Sequence, residues 1–176
     1  GWADSVYLVG QAFGTIGAMK GGITHEITTF RSEIYRDDSR KPRVTFSDDL
    51  GEDLSRRDFT INSMALLIPT PGNDAEIIDP HGGLVDLGSR TLRTPLDPEI
   101  AFSDDPLRML RLFRFVSTLE FSPEPDTVAA AARMSDRLSI VSAERIRDEF
   151  DRLMVGPGVE PALWGLVESG LAEVFV

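Results

Sequence analysis

Asp104-Asp105-Pro106-Leu107-Arg108-Met109-Leu110-Arg111-Leu112-Phe113-Arg114-Phe115-Val116 is the stretch on which the reading of this chain turns. Two acids followed by proline suit the entry to a helix, where unpaired backbone N–H groups favour negative charge and proline's missing donor costs nothing. Past the proline, Met109, Leu110, Leu112, Phe113 and Val116 share one arc of a helical wheel and are expected to pack inward. Asp105, Arg108, Arg111 and Arg114 recur every third residue. At about 100° per residue each sits about 60° behind the last, so they form a polar stripe spiralling across half the helix. An amphipathic helix accounts for the apolar arc. It does not account for a polar stripe of Arg without Lys or Glu. Three guanidinium groups at this spacing repel one another unless anions or acidic side chains lie between them, and phosphates are the obvious candidates. Asp105 and Arg108, one turn apart, also make an acceptor–donor pair suited to a base edge.

Working outward, the segments before this helix read mainly as strands. Val6–Val9 and Phe13–Met19 are apolar and separated by a short turn. Gly21-Gly22 marks a second turn, and Ile23–Phe30 alternates and is rich in β-branched residues. Residues 32–47 are polar, rich in Arg and Asp, and read as a mobile loop. Asp48–Arg57 has helical character, with Asp49 as cap and Leu50 and Leu54 on one face. Ile61–Ile68 is an apolar run whose periodicity does not separate helix from strand. Glu76–Asp79 reads as a strand, Pro80–Gly83 as a turn, Leu84–Gly88 as a helical turn and Thr91–Arg93 as a strand. After Pro98 helices are expected at 104–119, 124–135, 142–154 and 160–169. Ser122-Pro123 and Gly156-Pro157-Gly158 punctuate them. The fold class is therefore α+β, with a β-rich part over 1–96 and an all-helical part over 97–176.

The 176 residues carry a formal charge of −11, which taken alone argues against nucleic acid as a partner. Of the eighteen basic residues only Lys20 and Lys41 are Lys, and Arg is the side chain suited to bidentate contact with phosphates and base edges. The absence of Cys excludes disulfides and thiolate metal sites, and two His (His25, His81) make a zinc site implausible. No apolar run is long enough to span a bilayer and no signal peptide is visible, so a soluble, cytoplasmic protein without a membrane partner is expected. The chain begins at Gly1 without Met and stops in the apolar stretch Leu171–Val176. It reads as a fragment of a longer protein.

Two further constellations bear on chemistry. Arg56-Arg57-Asp58-Phe59-Thr60-Ile61-Asn62 places charge at the edge of an apolar run. It reads either as a helix C-terminus stabilised by cations, or as a phosphate clamp with Asp58 accepting a hydrogen bond from a ribose hydroxyl. Glu26 is a lone carboxylate on a strand. Phosphoryl chemistry on metal needs clustered carboxylates, and no Asp-x-Asp precedes it. Asp37-Asp38 and Asp48-Asp49 lie in polar loops, where adjacent side chains diverge.

In order along the chain, His25-Glu26-Ile27-Thr28-Thr29-Phe30-Arg31, Asp53–Asn62, Ile78-Asp79-Pro80-His81-Gly82-Gly83, Asp104–Arg111 and Ser142-Ala143-Glu144-Arg145-Ile146 resemble class II tRNA nucleotidyltransferases and the related bacterial poly(A) polymerases. Arg-Arg-Asp-Phe-Thr and Asp-Pro-Leu-Arg-x-Leu-Arg are the specific strings, and the resemblance covers essentially the whole chain. It implies the C-terminal part of a polymerase-β-like nucleotidyltransferase head over 1–96 and a helical neck over 97–176. It further implies two-metal-ion nucleotidyl transfer, with Mg2+, of CMP and AMP from CTP and ATP to the 3′ end of tRNA. The alternatives are a poly(A) polymerase, a CC-adding or A-adding enzyme, or a noncatalytic RNA- or nucleotide-binding module. By the resemblance Glu26 is a catalytic metal-binding carboxylate, Arg57 a triphosphate contact and Asp58 the ribose reader. Asp105 and Arg108 form the protein template for the base, Arg111 and Arg114 are further nucleotide contacts, and Glu144-Arg145 orients the template helix. The family commonly has Glu at the position of Asp104 and Ala at that of Ser63. Its Gly-Gly-x-Val-Arg-Asp stretch, its Asp-x-Asp pair and its C-terminal body and tail have no counterpart in the sequence, so the fragment alone is expected to be inactive.

Overall fold

The computed structural model describes residues 1–8, 11, 14–34, 43–46, 49–69 and 74–175, with 31–34 and 43–46 described by their backbone. The chain forms two compact units, Gly1–Asp53 and Leu54–Val176.

In the first unit, β1 (Ser5–Tyr7), β2 (Thr15–Lys20) and β3 (Ile23–Thr28) form an antiparallel meander. Gly21 and Gly22, both at positive φ, make the β2–β3 turn that side chains would strain. The pairing Ser5↔Met19 and Thr15↔Thr28 sets the register, and Asp4 closes the turn by accepting from the Gly21 amide at 2.8 Å and from Lys20 Nζ at 3.1 Å. These contacts hold the Asp4 carboxyl below its ordinary pKa. The expected loop over 32–47 is corrected at both ends. β4 (Arg31–Ile34) and β5 (Arg43–Phe46) pair antiparallel, in keeping with the β-branched Ile34, Val44 and Thr45. Asp37, Asp38 and Asp48 lie outside the described residues.

α1 (Leu50–Ser55) runs across the division between the units and is capped as expected, Asp49 Oδ1 accepting from the Gly51 amide at 2.7 Å. In the second unit the ambiguous run 61–68 resolves into a single 3-10 turn, Thr60–Asn62, and a strand, β6 (Ala65–Leu67), paired antiparallel with β7 (Glu76–Ile78). α2 (Gly83–Ser89) starts from Asp79, whose carboxylate accepts from the Gly83 and Leu84 amides at 2.7 and 2.9 Å. A side chain at Gly83 would overlap the Thr60 carbonyl, so this helix sits directly on the 3-10 turn. β8 (Thr91–Leu92) pairs in parallel with β9 (Ser122–Pro123), a contact hidden in a segment read only as punctuation.

The helical part holds a helix that the expected 104–119 did not contain. α3 (Pro98–Asp104) is capped by Asp97, with proline at its first position. It ends because the residue before Pro106 is pushed out of the helical region; Asp105 is extended, at φ −139. α4 (Leu107–Leu119) then begins, followed by α5 (Pro125–Arg133), α6 (Ala143–Met154), α7 (Val159–Glu168) and α8 (Ala172–Phe175). Leu107, Met109, Leu110, Leu112, Phe113 and Val116 of α4 are buried and form the centre of the core, with Phe59, Leu92, Phe102, Leu138, Leu153 and Leu166 around them. Each such side chain contributes about 1.5–3 kcal/mol by leaving water. α6 and α7 pack against α4. Gly165 lets α7 approach, since a Cβ there would overlap the Phe113 ring. Among the described residues no helix is long and apolar enough to cross a membrane.

Candidate functional site

The Arg-Arg-Asp-Phe segment is tied to α4 through aromatic packing. Phe59 is fully buried, its ring 5.4 Å from Phe115 in an edge-on contact, and the Arg114 guanidinium lies 3.9 Å over the Phe115 ring. Asn62 Oδ1 accepts from the Phe59 amide at 3.0 Å, and the buried Ser63 hydroxyl donates to the Phe59 carbonyl at 2.8 Å. Ser63, a departure from the family pattern, is thus satisfied where it stands. Thr60 donates to the Asp86 carboxylate at 2.5 Å, and Arg93 grips the same carboxylate through Nη2–Oδ1 at 2.6 Å and Nε–Oδ2 at 3.1 Å. Asp86 raises the Arg93 guanidinium pKa above its ordinary value. These anchors fix where Asp58 points.

Asp58 sits between two arginines of α4. Arg111 reaches it with Nη2–Oδ2 at 2.7 Å and Nη1–Oδ1 at 3.1 Å, and Arg108 Nε lies 3.3 Å from Oδ1. Arg108 is almost wholly buried. It also donates from Nη1 to the Ala101 carbonyl at 3.1 Å and from Nη2 to the Arg56 carbonyl. The stripe continues through a second acid. Glu149 of α6 lies 2.5 Å from Arg114 Nε and 3.8 Å from Arg111 Nε. Charges therefore alternate from Arg108 through Asp58, Arg111 and Glu149 to Arg114. Of the two neutralisers that the arginine spacing allows, anions and acidic side chains, the protein itself supplies the second, in Asp58 and Glu149. The missed residue is Glu149. Its pairing had no local signal: Arg145, one turn away on α6, pairs with Asp105 instead.

Asp105 stands at the mouth of the same helix. Its Oδ1 accepts from the Leu107 amide at 3.2 Å and its Oδ2 pairs with Arg145 Nη2 at 2.9 Å. Both members of the expected template pair are thus engaged in ion pairs, Arg108 with Asp58 and Asp105 with Arg145 of α6. Arg57 is exposed, with Nη1 3.4 Å from the Asn62 carbonyl. Glu26, in the first unit, is exposed on β3 opposite Gly17, and its neighbour His25 packs edge-on against Trp2 at 5.1 Å. His81 Nε2 is paired with the Ser55 hydroxyl at 3.1 Å. Asp79 carries a lowered pKa because backbone amides, the Leu84 amide foremost, stabilise its anion.

Residues 2–93, just over half of the chain, match the family model described as "Poly A polymerase head domain". The chain belongs to the poly(A) polymerase head-domain family. Residues 120–176 match a second model, described as "Probable RNA and SrmB- binding site of polymerase A". Curated proteins are similar to it as well. The CCA-adding enzyme of Anoxybacillus flavithermus is 44% identical over 164 residues, 93% of this chain and 40% of the relative. That of Lactobacillus gasseri is 42% identical over 165 residues, with the same shares. The chain thus spans 40% of the length of these relatives. Among solved structures, the Bacillus stearothermophilus CCA-adding enzyme in complex with CTP superposes with a TM-score of 0.81 at 37% identity, over 96% of this chain and 40% of that one. A tRNA nucleotidyltransferase complexed with a primer tRNA and an incoming ATP analog gives 0.76 at 26%, over 98% and 47%.

Chemistry of this head-domain family on two metal ions would need several converging carboxylates. Among the described residues no group of three His, Cys, Asp or Glu side chains is arranged to hold a metal. Glu26 offers one carboxylate, so the described residues do not by themselves build a metal centre.

Proposed function

We propose that this chain is the nucleotide-selecting portion of an enzyme that adds CMP and AMP from CTP and ATP to the 3′ end of tRNA. One observation carries the reading: Arg108 and Asp105 open α4 one turn apart, each fixed by a partner from a different segment, Asp58 and Arg145. A carboxylate accepts and a guanidinium donates. The pairing edges of cytosine and adenine both present an exocyclic amino donor beside a ring-nitrogen acceptor. Uracil and guanine present a carbonyl beside a ring N–H. One acid and one arginine held in register therefore favour C and A together and disfavour U and G. To reach a base, Arg108 exchanges one of its bonds to Ala101, Arg56 or Asp58 for a bond to the base. The relatives named CCA-adding enzymes, and a neighbour solved with CTP, support this reading.

In the same proposal Asp58 reads the ribose, Arg57 contacts the triphosphate, and Arg111 and Arg114 shape the nucleotide's surroundings. Glu26 contributes one ligand to a Mg2+ centre, the division between head and neck falls near residue 97, and the protein works in the cytoplasm. The description of the matching head-domain model favours a second reading, a poly(A) polymerase. A chimera separates them. This chain replaces the matching segment of the Anoxybacillus flavithermus enzyme, and labelled CTP and ATP are offered with tRNA ending before CCA. Ordered addition of C, C and A supports the first reading and a long A tract the second. A chimera that folds, binds tRNA and transfers neither nucleotide refutes both.

A further inference from the structure

Arg108 holds its three partners unequally. It donates from Nη1 to the Ala101 carbonyl at 3.1 Å and from Nη2 to the Arg56 carbonyl. Its third partner is Asp58, with Nε 3.3 Å from Oδ1. That contact is an ion pair without the alignment of a hydrogen bond: among the described residues the buried Nε–H of Arg108 has no aligned acceptor. Asp58, for its part, stays compensated if Arg108 leaves. Arg111 holds both of its oxygens, Nη1–Oδ1 at 3.1 Å and Nη2–Oδ2 at 2.7 Å. Of the contacts that Arg108 can exchange for a base, the one to Asp58 is therefore the least costly. The two side chains are 9% and 11% exposed, so the exchange takes place where solvent screens little.

Resting on the nucleotide-selecting reading, we propose that sugar and base are recognised cooperatively through the shared Asp58–Arg108 contact, so that a 2′-hydroxyl on the nucleotide sharpens the choice of base. A hydroxyl that donates to Asp58 takes up part of the carboxylate's accepting capacity and weakens its hold on Arg108. Arg108 is then free to donate to the ring-nitrogen acceptor of cytosine or adenine. In the other direction, a base that draws Arg108 away opens Asp58 to the hydroxyl. Each bond makes the other less costly, and the linkage is reciprocal. Uracil turns a ring N–H toward Arg108, so it leaves the Asp58–Arg108 contact in place and gains less from the hydroxyl. A sugar reader and a base reader that did not touch would instead act additively.

The probes are CTP, UTP and their 2′-fluoro-2′-deoxy analogues, which keep the pucker of ribose but have no 2′ donor. Each is titrated into the unmodified chain, and Kd is read from the Asp58 and Arg108 amide signals in proton–nitrogen NMR spectra. The ratio of the Kd of UTP to that of CTP should exceed the same ratio for the fluoro pair by about threefold to tenfold, within the range for groups in contact. Equal ratios for the two sugars, or a larger ratio for the fluoro pair, overturn the cooperativity and leave base selection standing. No preference for CTP over UTP with either sugar refutes the nucleotide-selecting reading, and the cooperativity falls with it. In a D58N variant that retains its signal dispersion, the two ratios should coincide; ratios that still differ there overturn the part given to Asp58. Where D58N does not fold, the comparison on the unmodified chain decides.

Discussion

Replacing Glu149 by Gln asks whether the alternating charge chain holds the helical unit together. The side chains of Glu149 and Arg114 are 11% and 12% exposed, and their closest atoms are 2.5 Å apart. Solvent screening is therefore slight. Removing one partner of a buried pair leaves the other charge uncompensated, at about 3–5 kcal/mol. Glutamine keeps the volume and one acceptor, and Arg111 keeps Asp58, so the lower end, about 3 kcal/mol, is expected. For a chain of this length that lowers Tm by about 6–12 °C. The assay is urea unfolding of the W2F chain, followed by Trp164 emission, so that the signal comes from the second unit alone. R114M and the E149M/R114M pair complete a double-mutant cycle. The double variant should recover most of the loss, because replacing both members of a buried pair with apolar groups is often neutral. A loss below about 1 kcal/mol for E149Q, the range of exposed pairs, or a double variant as unstable as the sum of the singles, refutes the reasoning.

Three further outcomes are expected. R108A in the chimera should reduce discrimination of C and A against U and G by about tenfold or more, the worth of one good base contact; unchanged incorporation ratios would remove Arg108 from base reading. The Gly83 and Leu84 amide shifts should titrate with Asp79 only below its ordinary pKa of 3.8. The folded pKa is lowered, so the stabilisation of α2 is complete above that value and is lost as pH falls through the folded pKa; a transition above 3.8 would contradict the capping geometry. G83A should destabilise the second unit by about 1–3 kcal/mol, because the added methyl overlaps the Thr60 carbonyl and lies 2.9 Å from Met64 Sδ; thermal unfolding checks this.

Local pattern carried much of this molecule. The Asp105-Pro106 entry, the inward arc from Met109 to Val116 and the Gly21-Gly22 turn are visible in sequence because cap chemistry, helical period and positive φ are decided by neighbours in the chain, whereas Asp104 closes α3. Where local signals conflict or are short, the sequence was silent. The run 61–68 became a 3-10 turn and a strand through pairing with β7, and α3 went unseen because seven residues give little periodicity. What tertiary structure alone decided is the neutralisation of the arginine stripe. Spacing showed that Arg108, Arg111 and Arg114 need anions. Only the fold supplied Asp58 from 53 residues before Arg111 and Glu149 from a later helix, because Coulomb attraction depends on distance in space and one helix's periodicity holds no record of what packs against it.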